Sequence, residues 1–268
     1  MDKNVVENYK KSKKQIKKAY KTEKKSRKRL YRQEKETARE NYLSEKDEYY
    51  RQNGKPVPQN PPKRSLLEEI GNAVTHGAGA AFAVVAIVLM MVKQNTTEEL
   101  IGALIYSIGL FVMFCISSLY HAFPYGSKVK RLFRRFDYSS IYLLIGATFA
   151  PILLAYIGGI KGTVFFIIQW AVIALGVSLI GVFGAGKLRF IHFPLYILLG
   201  WSGLILIPDL IRGSAEFFIY IILGGAVYSL GMIPFAIKAK ISHFIWHFFV
   251  IGGAVLQWIG IYKYIYLI

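Results

Sequence analysis

Seven stretches of mostly apolar residues dominate the chain beyond residue 72: roughly 73–92, 100–120, 138–157, 163–183, 190–208, 216–236 and 242–262. Each is long enough to cross the ~30 Å hydrocarbon core of a bilayer as a helix rising about 1.5 Å per residue. Such a chain has few folding options, because in lipid every backbone N–H and C=O must be paired inside the protein. A soluble helical bundle would carry polar faces, and these segments lack them. The expected fold is therefore all-α, a seven-transmembrane helix bundle. Pro151, Pro194 and Pro234 fall inside spans, where membrane helices tolerate them. Gly77, Gly224, Gly225, Gly252 and Gly253 would let neighbouring helices approach closely.

Charge is distributed unevenly around this pattern. The net charge is +18, and residues 1–69 hold 21 of the 34 Lys and Arg and 11 of the 16 Asp and Glu. The chain is thus expected to divide into a basic cytoplasmic arm at 1–52, a Pro-rich linker at 53–65 and a transmembrane domain at 66–268. The arm lacks Gly and Pro up to Gly54, which favours a solvated helix with (i, i+4) charge pairs; with apolar positions too sparse for a core of its own, a disordered arm is the alternative. Gly54 and the prolines at 56, 58, 61 and 62 then break it. No secretory signal is expected, since no early apolar core follows the charged start. A basic arm beside a membrane suggests attraction to anionic lipid headgroups. No nucleic-acid recognition motif accompanies the charge, so no nucleic-acid partner is expected. The single cysteine, Cys115, excludes an intramolecular disulfide and reads as a small buried hydrophobe.

Loop charges set the expected orientation. Lys128, Lys130, Arg131, Arg134 and Arg135 follow the second span, Lys187 and Arg189 the fourth, and Lys238 and Lys240 the sixth. The opposite loops carry Lys93, Lys161 and Arg212 among Glu98, Glu99, Asp209 and Glu216. The positive-inside rule then places the N-terminus and arm in the cytoplasm and, after seven spans, the C-terminus outside the cell. The expected location is the plasma membrane, crossed several times.

That orientation aligns a set of polar residues. His121 ends the second span, Asp137 begins the third, and His243 and His247 begin the seventh, all at the inner leaflet. His243 and His247 are i, i+4 and share one helix face. Imidazoles inside a bilayer are costly unless they face the bundle interior and have partners. Three of them, with one position left for water, make a donor set suited to catalytic zinc. Asp137 then offers a carboxylate to hold or deprotonate that water rather than a direct ligand. Ser117 lies one turn before His121, its hydroxyl on the same face. Duller readings exist: Asp137 paired with Arg134 or Arg135, and Ser117 bonded back to its own helix. Glu69, Asn72 and His76 cluster at the start of the first span. His192 has no polar company and reads as structural.

The series Glu69, Asn72, His76, then Ser117 and His121, then Asp137, then His243 and His247 resembles the hemolysin III family of the progestin and adipoQ receptor (PAQR) superfamily. The resemblance covers nearly all of residues 66–268 and leaves the arm outside. It implies a seven-helix bundle with Zn2+ near the cytoplasmic side, ligated by His121, His243 and His247. It also implies that Asp137 holds the water, that Ser117 supports the site, and that Glu69, Asn72 and His76 complete the motif. The superfamily is similar to alkaline ceramidases. The implied chemistry is therefore hydrolysis of a lipid amide or ester, with membrane lipids as substrates and a role in membrane-lipid homeostasis. The alternative is a non-enzymatic membrane effector, a cytolysin or a lipid-state sensor, with structural zinc. A pore finds little support, because spans four to six offer few polar residues beyond Gln169, Ser178 and Ser202.

Overall fold

The computed structural model describes residues 3–54, 60–237 and 239–267. By internal contacts the chain divides into two compact units, Met1–Pro58 and Gln59–Ile268. Part of the Pro-rich linker (residues 55–59) and Lys238 lie outside the described residues.

The first unit is one uninterrupted helix, α1 (Lys3–Gln52). Its 50 residues would extend about 75 Å at the standard rise. Large apolar side chains such as Ile16, Tyr20 and Tyr31 are exposed along it, so no core supports the helix. Local pairs help instead: Glu7–Lys11 at 2.9 Å and Glu23–Arg27 at 2.8 Å, both i, i+4. Each is worth only about 0.2–0.5 kcal/mol.

The second unit contains, among the described residues, seven helices long and apolar enough to cross a membrane. They comprise α2 (Leu66–Lys93), α3 (Thr97–Ala122), α4 (Lys128–Pro151), α5 (Gly159–Phe183), α6 (Arg189–Trp201) with α7 (Ile207–Gly213), α8 (Ala215–Ala236) and α9 (Ser242–Ile261). No strand occurs among the described residues. Helix starts follow the sequence closely. Ser65, Thr96, Ser127 and Ser214 each accept a hydrogen bond from the backbone N–H three residues on, closing α2, α3, α4 and α8. This satisfies N–H groups that helix geometry leaves orphaned.

Three departures from the expected spans have local causes. The third span begins at Lys128, ten residues earlier than its apolar stretch suggests, because Ser127 caps a helix through the basic run. Lys128, Lys130, Arg131, Arg134 and Arg135 therefore stand on α4 and not in a loop. Past Pro151, whose ring cannot continue a regular ladder, the same span widens into a π-helical turn at Ile152–Ile157. The fifth span bends into a 3-10 segment at Ser202–Leu206 and runs on through α7 to Gly213.

Gly158 alone links the π-helical turn to α5, with φ of 63°, a left-handed conformation that favours glycine. Other glycines permit close packing. A Cβ on Gly253 would come within 2.9 Å of the Tyr228 ring, and one on Gly224 within 3.0 Å of the Gly253 carbonyl, so α8 and α9 meet almost backbone to backbone. Apolar side chains such as Ile160, Val182 and Ile205 point outward, as they must toward lipid tails. Cys115 is free and only half-buried, less enclosed than its sequence context suggests.

Candidate metal centre

The hairpin order of the helices brings the first turns of α2, α4 and α9 and the last turn of α3 to one end of the bundle. There His121, His243 and His247 each offer a nitrogen, and these nitrogens lie within 4.8 Å of one another. The Nε2 atoms of His121 and His243 are 3.2 Å apart. Among the described residues this is the group of His, Cys, Asp and Glu close enough to hold a metal ion; Asp137 and Glu69 stand outside it.

The surrounding hydrogen bonds fix which nitrogens face inward. His121 Nδ1 is 2.6 Å from Glu69 Oε2. A carboxylate accepts only, so Nδ1–H is the donor and Nε2 turns a lone pair to the centre. The Thr75 hydroxyl donates to the carbonyls of Gly71 (2.9 Å) and Asn72 (3.0 Å), and its oxygen is 3.2 Å from His247 Nδ1. That oxygen is left to accept from His247 Nδ1–H, which frees Nε2 of His247 in the same way. The 3.2 Å approach of His243 Nε2 to His121 Nε2 suits either a hydrogen bond between the two rings or a cation held between them. The donor set fits zinc, whose histidine ligands commonly donate their outer N–H to a carboxylate or another oxygen.

Glu69 is tied down in turn. Lys130 Nζ is 2.8 Å from Glu69 Oε1, 3.0 Å from the Phe123 carbonyl and 3.5 Å from the His121 carbonyl. Lys130 is fully buried, which is tolerable only because its charge is paired. It also sits 4.9 Å from the centroid of the Tyr120 ring. Asn72 Nδ2 is 3.4 Å from His121 Nδ1. The reverse amide orientation would set Oδ1, which has no partner, against the donated hydrogen.

The residues singled out from sequence gather at this end of the bundle but in different contacts. Glu69 and Asn72 reach His121, whereas His76 stacks on His247 with ring centroids 3.6 Å apart. Ser117 and Asp137 both line the cleft beside the histidines. Neither arginine suggested as a partner for Asp137 is engaged with it by a short ion pair: Arg134 donates to the Asn60 carbonyl and Arg135 to the Gly181 carbonyl. His192 does have polar company, a hydrogen bond of 2.9 Å to the Tyr142 hydroxyl in a separate buried cluster. Lys130 and Thr75 are the residues that sequence reading missed. Lys130 was hidden among four other cations of one run. The signal that could have found it is Ser127, three residues before it in capping position.

Next to the histidines an open cleft lies between α2, α3, α4, α6, α8 and α9. Asp137, Ser117, His76, His243 and His247 line it at the metal end, and Phe149, Tyr228 and Gln257 line it further along. His247 and Gln257 both face it from α9. Ten residues of helix separate them, so the cleft runs about 15 Å along the bundle. Its walls are largely aromatic and aliphatic, which suits a long apolar ligand more than a hydrated one.

A bundle of seven apolar helices with a three-histidine cluster at one end defines a class of multi-pass membrane proteins. A family model, Haemolysin-III related, matches residues 64–258. The chain is 32% identical over 205 residues to Hemolysin-3 of Bacillus cereus, covering 75% of this chain and 93% of that one. It is 31% identical over 196 residues to a Hemolysin-3 homolog of Bacillus subtilis, covering 71% and 91%. It is also 26% identical over 211 residues to the human monocyte to macrophage differentiation factor, covering 76% and 87%. The chain belongs to the haemolysin III-related family, and the mammalian relative supports its place in the PAQR superfamily. The matched region begins at residue 64, after α1.

Proposed function

We propose that this protein is a zinc-dependent hydrolase of lipid amide or ester bonds, active at the cytoplasmic end of its bundle in the plasma membrane. The observation that carries this reading is the convergence of His121, His243 and His247 at the mouth of an apolar cleft that Asp137 also lines. A purely structural metal site is normally closed, with four protein ligands, whereas catalytic sites keep one position open. Here the donor set has three members, and Asp137, a carboxylate outside that set, lines the adjoining cleft.

His121, His243 and His247 would hold the ion. A zinc ion so held supplies a Lewis acid that lowers the pKa of water to about 7. The apolar walls take up the acyl chain and exclude bulk water, which strengthens every charge interaction at the mouth. Asp137 is the general base: it takes a proton from the attacking water, whose oxygen adds to the acyl carbon. The C–N or C–O bond breaks, and Asp137 returns the proton to the departing amine or alcohol. Ser117, which lines the cleft with Asp137, would support that carboxylate. The end that carries the histidines also carries the basic run of α4 and Arg189, which supports a cytoplasmic assignment.

The test is hydrolysis by purified protein of ceramide-like, acyl-amide and phospholipid substrates, with and without a chelator. Turnover that disappears with the metal and returns with added zinc supports the reading. Stoichiometric zinc without turnover on all three classes refutes it in favour of a lipid-state sensor.

A further inference from the structure

We propose that residues 10–29 of α1 form a docking surface for an anionic bilayer, and that residues 30–52 of the same helix serve as a charge-balanced spacer. The assignment does not depend on the chemistry of the metal centre. Residues 10–29 contain 12 Lys and Arg and one acidic residue, Glu23; residues 30–52 contain five basic and six acidic residues. The charge of the arm is thus concentrated in about 30 Å of helix.

Six of the ten lysines in that segment fall in register. Lys10, Lys14, Lys17, Lys21, Lys24 and Lys28 repeat at alternating spacings of four and three residues. At 3.6 residues per turn this places all six in one stripe about 80° wide. Each neighbouring pair in the stripe is a like-charge pair at i, i+3 or i, i+4, which destabilises a bare helix. Among the described residues, the ion pairs at this segment join Glu7 to Lys11 and Glu23 to Arg27, neither on the stripe. The stripe therefore weakens its own helix unless an external negative surface neutralises it.

The aromatic residues indicate what kind of surface. Tyr20 lies on the flank of the lysine stripe and Tyr31 just past its end, 64% and 65% exposed. Tyrosine beside lysine suits a headgroup boundary, where the ring settles at the interface and the long amine reaches the phosphates. A straight stripe of six cations also presents itself to a plane more fully than to a curved duplex groove. The arm is joined by a short linker to a unit with seven membrane-crossing helices, so a bilayer is always present at high effective concentration. Nothing else in the chain would bring a nucleic acid to it.

The experiment uses the full chain in nanodiscs of phosphatidylcholine alone, or with about one-third phosphatidylglycerol, read by hydrogen exchange of peptides from α1. Anionic lipid should slow exchange across residues 10–29 by about tenfold or more, and the effect should fade between low and high salt as the charges are screened. Replacing the six stripe lysines with Gln should abolish the protection. Replacing Arg32, Lys35, Arg39, Lys46 and Arg51 with Gln should leave it in place. Equal exchange in the two lipids, or protection unaffected by the stripe substitutions, overturns the proposal. Protection given by a duplex oligonucleotide and not by anionic lipid overturns it in favour of nucleic-acid binding.

Discussion

Lys130→Met is the substitution that most directly probes how the metal site is built. It removes an ammonium that is fully buried and bound to Glu69 Oε1 at 2.8 Å, while keeping most of the side-chain volume. Breaking one side of a buried pair typically costs about 3–5 kcal/mol, because the other charge is left without compensation. Part of that cost is recovered here, since Glu69 keeps the His121 Nδ1–H at 2.6 Å. The carboxylate is no longer anchored on its far side, so His121 is held less firmly. Losing such an outer partner of a metal ligand usually lowers metal affinity about 10–100-fold, which is about 1.4–2.8 kcal/mol. The assay is competition for zinc between the purified protein and a fluorescent chelator, with thermal unfolding of the metal-free protein measured alongside. Glu69→Gln and the Glu69→Gln, Lys130→Met double variant complete the cycle. If Lys130 acts through Glu69, the double variant should lose much less than the sum of the singles, a coupling of about 0.5–3 kcal/mol. Strict additivity, or a Lys130→Met protein that binds zinc as tightly as the parent, refutes the relay from Lys130 through Glu69 to His121.

Three further outcomes are expected. Asp137→Asn should retain the metal and lose about 10²–10⁴-fold in lipid amide or ester hydrolysis, the usual scale for a general base; metal content and turnover measured on one sample decide it, and full activity excludes Asp137 as base. His243→Ala combined with His247→Ala removes two of three donors and should leave less than a tenth of an equivalent of zinc, roughly, by metal analysis; one full equivalent would disprove the site. A reporter active only in the cytoplasm should give a signal when fused at the N-terminus and none at the C-terminus, as odd span number and loop charge require; a signal at both ends would contradict that topology.

Much of the fold was legible because membrane spans obey a one-dimensional rule. Length and apolarity alone located all seven, and alternation of direction then brought His121, Asp137, His243 and His247 to one end. The boundaries were less legible. The helix of the third span starts inside a basic run, where hydropathy is silent and only the Ser127 cap marks the start. The partners of the site were hardest to read. Lys130 and its neighbour Arg131 look alike as letters, yet one is enclosed by Glu69 and two carbonyls while the other reaches Asn60 and Gly126. His192 finds Tyr142 across 50 residues of chain, a contact no local pattern announces. Thr75 supports His247 across 172 residues for the same reason.

The separation of the histidines along the chain also governs when the centre can exist. His121 and His243 are 122 residues apart, and two of the three donors lie in the final span. Membrane chains are inserted from the N-terminus onward as they are synthesised. Six spans must therefore be in place, with an unfilled seat beside α2 and α3, before the cluster can assemble. Until then His121 faces its carboxylate partner alone and the centre has one donor out of three. Acquisition of the ion would thus report that translation has reached the last helix and that this helix has docked.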